Sequence, residues 1–327
     1  MIITRAPFRV SFCGGGSDLP SFYEQYGGCV LSTSIKKYMY ITIHPYFYSK
    51  EILLKYSKTE LVKDYRSIEH RIFKQCLSDF KLDGVEISST ADVPAGTGLG
   101  SSSAFTVALL HLLYTYCGKA VSKEDLAREA CQIEIDKLGD PIGKQDQYAS
   151  AYGGFNFFTF HPKGDVTVEP IIMKQKSYSD LEDNLLMFYT GDIRSASKIL
   201  AEQSQNMRIS SKIKNQLRMS ELAKDLKKEL EHNNIDAMGE LLHESWKLKK
   251  ELAKGITNST VDELYNRAKK AGAEGGKLLG AGGGGFLLFY VKKEKQERVR
   301  ESLSDLKEMD VAFDNSGSTI IYVGRNY

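Results

Sequence analysis

Apolar positions alternate and then run together through "IITRAPFRVSFC", a pattern that predicts a strand, and the run Gly14, Gly15, Gly16 breaks it. The next stretch, "SDLPSFYEQYGG", predicts a short helix, with Asp18 as N-cap, Pro20 in the first turn and Gly27 at the close. "CVLSTSI" and "YMYITIHPY" read as two further strands and "GVEISS" as another. Phe105, Ala108, Leu109, Leu112, Leu113 and Tyr116 then follow helical spacing over one broad apolar face, with Gly118 as C-cap. A second helix begins at Ser122, where Asp125 completes a variant of the capping box, and runs to about Leu138. A third, short helix covers "KQDQYASAY" and stops at Gly153 and Gly154.

The second half changes character. "GFNFFTFH" and "NLLMFYTG" read as strands, and a long, charged helical region follows from roughly Ser195 to Lys254. "STVDELYNRAKKAG" predicts one more helix, and "KLLGAGGGGFLLFYV" two apolar strands around a glycine turn. A polar helix from Glu294 to Lys307 and a last strand, "STIIYVG", complete the chain. Strand–helix–strand order near the end predicts an α+β fold with helices on one face of a sheet. Composition places a domain boundary near residue 180, giving units 1–180 and 181–327.

A chain of 327 residues is long enough for two domains, each with its own core. Lys and Arg number 44 against 42 Asp and Glu, a net charge of +2. That balance argues against general nucleic-acid or membrane-surface binding and points to small-molecule partners. No apolar run reaches the ~20 residues of a membrane span, and "MIITRAPFRV" has no signal-peptide core. The 5 cysteines are odd in number and form no CxxC pair, which predicts reduced thiols in a cytoplasm. The 6 histidines lack metal-ligand spacing. A homodimer is compatible with the sequence but not required by it.

The chemistry concentrates in "VPAGTGLGSSSAF", Val93 to Phe105. Glycines let backbone N–H groups approach a ligand closely, and three serines open an apolar helix whose N-terminus attracts anions. The stretch lacks the lysine of GxxxxGK[ST] and the spacing of GxGxxG. A polar linker whose serines cap the helix remains the alternative to a phosphate cradle. On the Ser122 helix, Ala127, Cys131, Glu134 and Leu138 share one stripe. A buried carboxylate there needs a partner, either magnesium or a basic side chain; the remaining alternative is a stripe that is only half buried. Asp146 falls in the first turn of its helix, where an ionised carboxylate is favoured and could orient a hydroxyl or simply sit at the surface.

"PAGTGLGSSSA" closely resembles the phosphate-binding motif of the GHMP kinases, "RAPFRVSFCGGGSD" resembles their N-terminal motif and "LLGAGGGGFLLF" their C-terminal one. Three motifs in order across nearly the whole chain make the resemblance specific. It implies an α+β GHMP kinase fold: an N-terminal domain like ribosomal protein S5 domain 2 and a C-terminal ferredoxin-like domain. It implies ATP and Mg2+, with Pro94, Gly96, Gly98, Leu99, Gly100, Ser101, Ser102 and Ser103 on the nucleotide and Ser102 and Glu134 on the metal. Asp146 becomes the group that acts on the attacking hydroxyl, and Arg9 polarises that hydroxyl and neutralises the transferring phosphoryl group. Asp18, with Gly15, Gly16 and Ser17, would hold sugar hydroxyls, and Gly283 in the last motif comes secondarily to the substrate. "GGGSDLP" replaces the "GEHTDY" of galactose-type members, which counts against galactose and leaves room for a bulkier sugar.

Within the family, "RAPFRVSFCGGGSDLP" is most similar to the D-glycero-D-manno-heptose 7-phosphate kinases. Those phosphorylate the anomeric hydroxyl to the 1,7-bisphosphate, on the route to GDP-heptose for bacterial surface polysaccharide. A fucokinase- or galactokinase-like activity, or a non-catalytic sugar and ATP sensor on the same fold, are the alternatives. A substrate of the first kind carries a remote phosphate. "TGDIRSASKIL" gathers Arg194, Ser195, Ser197 and Lys198 at a helix start and is a candidate anchor, or a capped surface helix. Lys36, Lys37 and Lys144 compete for the role.

Overall fold

The computed structural model describes residues 1–48, 50–191 and 196–324. Strand β1 (Ile2–Cys13) alternates between buried and half-buried positions at its start, and from Ala6 onward every residue is buried. Successive side chains of a strand point to opposite faces, so this run is covered on both. A short helix, α1 (Pro20–Tyr26), leads to β2 (Gly28–Pro45). β2 is one strand of 18 residues where the pattern predicts two. Lys36 and Lys37 read as a break because they are polar, but they sit at a bulge: Pro7 pairs with Tyr38 and Phe8 with Ile35.

The stretch to which the pattern assigns no element holds β3 (Ile52–Lys55), β4 (Thr59–Val62) and α2 (Arg71–Phe80). Then come β5 (Val85–Ala91), α3 (Ser101–Tyr116), α4 (Lys123–Cys131) and α5 (Gln145–Tyr152). Ser122 caps α4 by accepting from Asp125 N at 3.0 Å, as the capping box requires, and the helix continues as a π-helical stretch over Gln132–Lys137. β6 (Phe155–Phe160) and β7 (Val166–Pro170) follow. β2 organises the first sheet, pairing with β1 along its length, with β6 over Gly28–Thr33 and with β5 over Met39–Pro45.

After α6 (Gln175–Asp183) and β8 (Leu185–Tyr189), the long helical region divides into α7 (Ala196–Asn206), α8 (Ser210–Glu231) and α9 (Ala237–Lys250). The second break follows from Asn233, whose φ of 64° is left-handed and ends α8. α10 (Ser259–Ala271), β9 (Gly275–Leu278), β10 (Phe286–Tyr290), α11 (Gln296–Ser302) and β11 (Lys307–Met309) complete a second, antiparallel sheet in the order β11-β8-β10-β9. The architecture is α+β. The last strand, β12 (Thr319–Val323), crosses back and pairs antiparallel with β1, Ile2 opposite Val323, so the end of the chain joins the first sheet. α3 and α5 pack on β1 and β2, as does α8 from the second half, while α9 packs on β1, and this burial clamps the two halves together. Among the described residues no helix is long and apolar enough to cross a membrane. The five cysteines are free thiols.

Candidate functional site

A cleft of about 300 Å3 opens where the C-terminal end of β1, the start of α3, the start of α5 and the β9–β10 turn converge. Its first wall is the glycine-rich loop. Gly98 has a φ of +85°, and a Cβ there would lie 2.6 Å from Leu279 O. Gly100, at +77°, would place a Cβ 3.1 Å from Asp146 Oδ2. Positive φ and absent side chains are therefore both required, and they bring the loop against the β9–β10 turn on one side and Asp146 on the other. Gly100 stands at the N-cap of α3 without any side-chain cap, so the first-turn N–H groups of Ser101, Ser102 and Ser103 are left for a ligand. The linker reading, in which serines cap the helix, does not hold.

Asp146, in the first turn of α5, is gripped by the fork of Arg9: Nε to Oδ1 and Nη2 to Oδ2, each 2.7 Å. Arg9 Nη1 donates to Gly98 O at 2.7 Å. Arg9 is buried, whereas the Asp146 side chain keeps 26% of its surface exposed toward the cleft. Arg9 thus holds Asp146 against the loop, and its donors are directed at these partners rather than at an attacking hydroxyl.

Asp18 does not cap α1. The N-cap is Leu19, with no side-chain bond. Asp18 Oδ1 instead accepts from Gly16 N at 2.9 Å and Oδ2 from Gln145 N at 3.2 Å, which caps α5 across the chain. The approach is close enough that a Cβ on Gly143 would come within 2.0 Å of Asp18 Oδ2. Burial, and secondly the Asp146 charge, push the Asp18 carboxyl up, and the two N–H donors pull against that shift. Gly15 and Gly16 line the cleft, and Gln216 Nε2 reaches Gly15 O at 3.4 Å.

Glu134 lies on the π-helical stretch and is completely buried. Its partners are neutral: Ser102 Oγ donates to Oε1 at 2.9 Å and Gln147 Nε2 to Oε2 at 2.7 Å. No ion pair reaches it among the described residues, so the basic-partner alternative fails. Burial raises its carboxyl from 4.5 to about 7, although bonds from Ser102, Gln147 and Ser103 oppose the shift. Gln147 Oε1, on the amide that donates to Glu134, is buried without a hydrogen-bond partner. No group of three His, Cys, Asp or Glu among the described residues could hold a metal by itself. Mg2+ takes one or two protein oxygens and completes its shell with phosphates and water. The hydroxyl of Ser102 and the carboxylate of Glu134 fit that requirement.

Several expected residues lie elsewhere. Ser17 is fully buried and its Oγ both donates to Cys29 O at 2.9 Å and accepts from Cys29 N at 3.0 Å, so it fastens the loop to β2 instead of facing substrate. Leu99 is in the core with its C=O accepting from Arg9 N at 3.1 Å, and Pro94 is exposed outside the cleft. Gly283 donates to Ile256 O at 3.0 Å and accepts from Asn258 Nδ2 at 3.2 Å. Its neighbours Gly282 and Gly284 line the cleft and it does not. Arg194 and Ser195 lie outside the described residues. Ser197 lines the cleft, whereas Lys36, Lys37, Lys144 and Lys198 do not, and Lys144 donates to Gly164 O at 2.6 Å.

Sequence reasoning missed two cleft residues of consequence, Lys249 and Lys277. Both are buried lysines that form no ion pair among the described residues, although the Asp18 and Asp146 charges act on Lys249. Lys277 was visible as one cation inside an apolar strand segment. Lys249 was hidden in "KLKK", which reads as a solvated helix face. Together the walls supply free helix N–H groups, a half-open carboxylate, an oxygen pair for a divalent cation and two ammonium groups, which suits transfer between a phosphate donor and a hydroxyl.

Two family models match the chain: GHMP kinases N terminal domain over residues 61–154 and GHMP kinases C terminal over residues 226–307. Together they span more than half of it. The D-glycero-alpha-D-manno-heptose 7-phosphate kinase of Campylobacter jejuni is 29% identical over 321 residues, 92% of this chain and 93% of that protein. The bifunctional fucokinase/GDP-fucose pyrophosphorylase of Arabidopsis thaliana is 34% identical over 241 residues, 71% of this chain and 22% of that protein. A solved D-glycero-D-manno-heptose 1-phosphate kinase from Bacteroides thetaiotaomicron superposes with a TM-score of 0.82 at 26% identity, over 99% of this chain and 100% of that one.

Proposed function

The chain belongs to the GHMP kinases and is an ATP-dependent sugar kinase; from that premise we propose that it phosphorylates the anomeric hydroxyl of D-glycero-D-manno-heptose 7-phosphate. The observation that carries the reading is the Asp146 carboxylate, fixed by Arg9 and open to the same cleft as the uncapped start of α3. A phosphate donor sits with its oxygens on the N–H groups of Ser101–Ser103 and the loop around Gly98. The acceptor hydroxyl approaches Asp146, which orients it and accepts its proton as the oxygen bonds to the γ-phosphorus of ATP and the bond from that phosphorus to the β–γ bridging oxygen breaks, releasing ADP. Asp18 and the backbone of Gly15 and Gly16 face the sugar's remaining hydroxyls. Ser102 and Glu134 would hold Mg2+, which when bound offsets charge on the donor's phosphates.

The choice of heptose phosphate follows the names of the Campylobacter and Bacteroides relatives, which align with nearly the whole chain. The 1,7-bisphosphate so formed would feed GDP-heptose synthesis. The Arabidopsis match favours a fucokinase-like activity as the second reading. A panel of sugars and sugar phosphates incubated with ATP, read by ADP release, separates them. Heptose 7-phosphate should give the highest kcat/KM, with the product phosphorylated at the anomeric carbon. Faster turnover of fucose, or equal use of heptose with and without its phosphate, refutes the assignment.

A further inference from the structure

We propose that Lys249 and Lys277 form the subsite for the phosphate that the acceptor already carries, separate from the groups that hold the nucleotide. The inference rests on the acceptor being a sugar phosphate.

Lys277 stands in β9, where every residue is buried, and is itself 2% exposed. Its Nζ donates to Phe12 O at 2.8 Å, next to the glycine run that ends β1. Lys249, in the last turn of α9, is 6% exposed and donates to Gly280 O. Both line the cleft with Arg9, Asp18 and Asp146. An ammonium has three donors, and each of these has one bond to a carbonyl, leaving two apiece. Burying one ammonium without a counter-ion is unfavourable, and burying two that repel each other more so. After burial itself, Lys277 is the largest influence lowering Lys249.

Arg9, the other cation lining the cleft, is neutralised by Asp146. Lys144, outside the cleft, donates to Gly164 O while its Nζ stacks 4.9 Å from the Tyr23 ring. Among the described residues the lysine pair is therefore the positive charge of the cleft without an ion pair, although the Asp18 and Asp146 charges act on Lys249, and it belongs to α9 and β9 of the second half. A dianionic phosphate on a sugar whose reacting hydroxyl lies at Asp146 fits that charge, and lysine is a common point-charge phosphate binder.

The experiment measures kcat/KM for heptose 7-phosphate and for unphosphorylated heptose in wild type, Lys249→Met and Lys277→Met, with KM for ATP alongside. Methionine keeps the volume of the buried stem, and melting curves confirm folding. We expect each variant to lose ~10- to 100-fold of the preference for the phosphorylated sugar, through a raised acceptor KM. Lys249→Arg should retain more of the preference than Lys249→Met. An equal loss on both sugars, or a loss expressed in KM for ATP, would overturn the inference, since the lysines would then serve the transferred phosphoryl group. A preference that survives in both methionine variants overturns it while leaving the acceptor assignment intact. If wild type shows no preference, the acceptor assignment fails by itself, and inorganic phosphate becomes the probe. Competition by phosphate against the acceptor, lost in the variants, upholds an anion subsite at the lysines; no competition in wild type removes it too.

Discussion

Replacing Glu134 by Gln should make the nucleotide-free protein more stable at neutral and alkaline pH, and less responsive to Mg-nucleotide. The carboxyl is fully buried, with two hydroxyl or amide donors and no cation. Its folded value is about 7 against 4.5 for the ordinary group. Because the folded state holds this proton more tightly, the stability linked to it is fully present below pH 4.5 and is lost as pH rises through 7. The whole gap corresponds to ~3 kcal/mol. Glutamine keeps the shape and does not titrate, so the variant's advantage over wild type should grow by ~2–3 kcal/mol between pH 5 and pH 8. Denaturant unfolding at both pH values, with a chelator present, measures this. Adding Mg2+ with a non-hydrolysable nucleotide should then stabilise wild type more than the variant, because the cation supplies the missing partner. A stability difference independent of pH, or an equal response to Mg-nucleotide, would refute the reasoning.

Asp146→Asn should lower kcat by ~10²–10⁴-fold while ATP affinity by calorimetry stays near that of wild type; turnover within a few-fold of wild type at saturating substrate contradicts the assigned role. Ser102→Ala removes an oxygen from both the α3 start and the Glu134 contact, and should raise KM for Mg-ATP more than KM for the sugar; steady-state kinetics with each substrate varied is the check. Gly98→Ala combines a φ of +85° with a backbone oxygen 2.6 Å from the new Cβ, and should cost ~1–3 kcal/mol of stability and weaken ATP binding. Gly118→Ala, at +67° with nothing within 4 Å, should cost less, and equal losses in unfolding experiments would contradict the packing argument.

The elements legible in the sequence are those whose burial is one-sided or whose ends carry their own chemistry. α4 was readable because Ser122 and Asp125 form a local cap, and the Glu134 stripe because it follows on the same helical path. The joined β2 was not, because a bulge is settled by the partner strand and not by Lys36 and Lys37 themselves. Nor was the role of Asp18, whose spacing before Pro20 fits an N-cap but whose carboxylate is taken by Gly16 N and by Gln145 N, the latter 127 positions away. Of the candidate cleft, the glycines and serines of the Val93–Phe105 stretch were legible because they cluster in sequence. Arg9 and Asp146 could be named but not paired, since their contact spans 137 positions. The lysine pair could not be assembled at all, because Lys249 comes from a helix and Lys277 from a strand, and only the fold turns both into one cleft.

Among the described residues, charges of both signs are buried here without an ion pair, which is what the proposed hold on polyanions with a cation between them would require. Glu134 lacks a cation and the lysine pair lacks an anion, so each destabilises the empty protein in its charged form. The two effects have opposite pH dependence. Glu134 loses its stabilising proton as pH rises through about 7, whereas Lys277 has its folded value lowered from 10.5 to about 8, chiefly by burial. The folded lysine releases its proton first, so this group's destabilisation is relieved as pH climbs from about 8 to 10.5. Between about 7 and 8 both groups are charged and both are uncompensated. Ligands that neutralise them have the most to contribute in that window, so the burial that weakens the empty cleft there would also strengthen the proposed hold on a metal-bound polyphosphate and a phosphorylated acceptor.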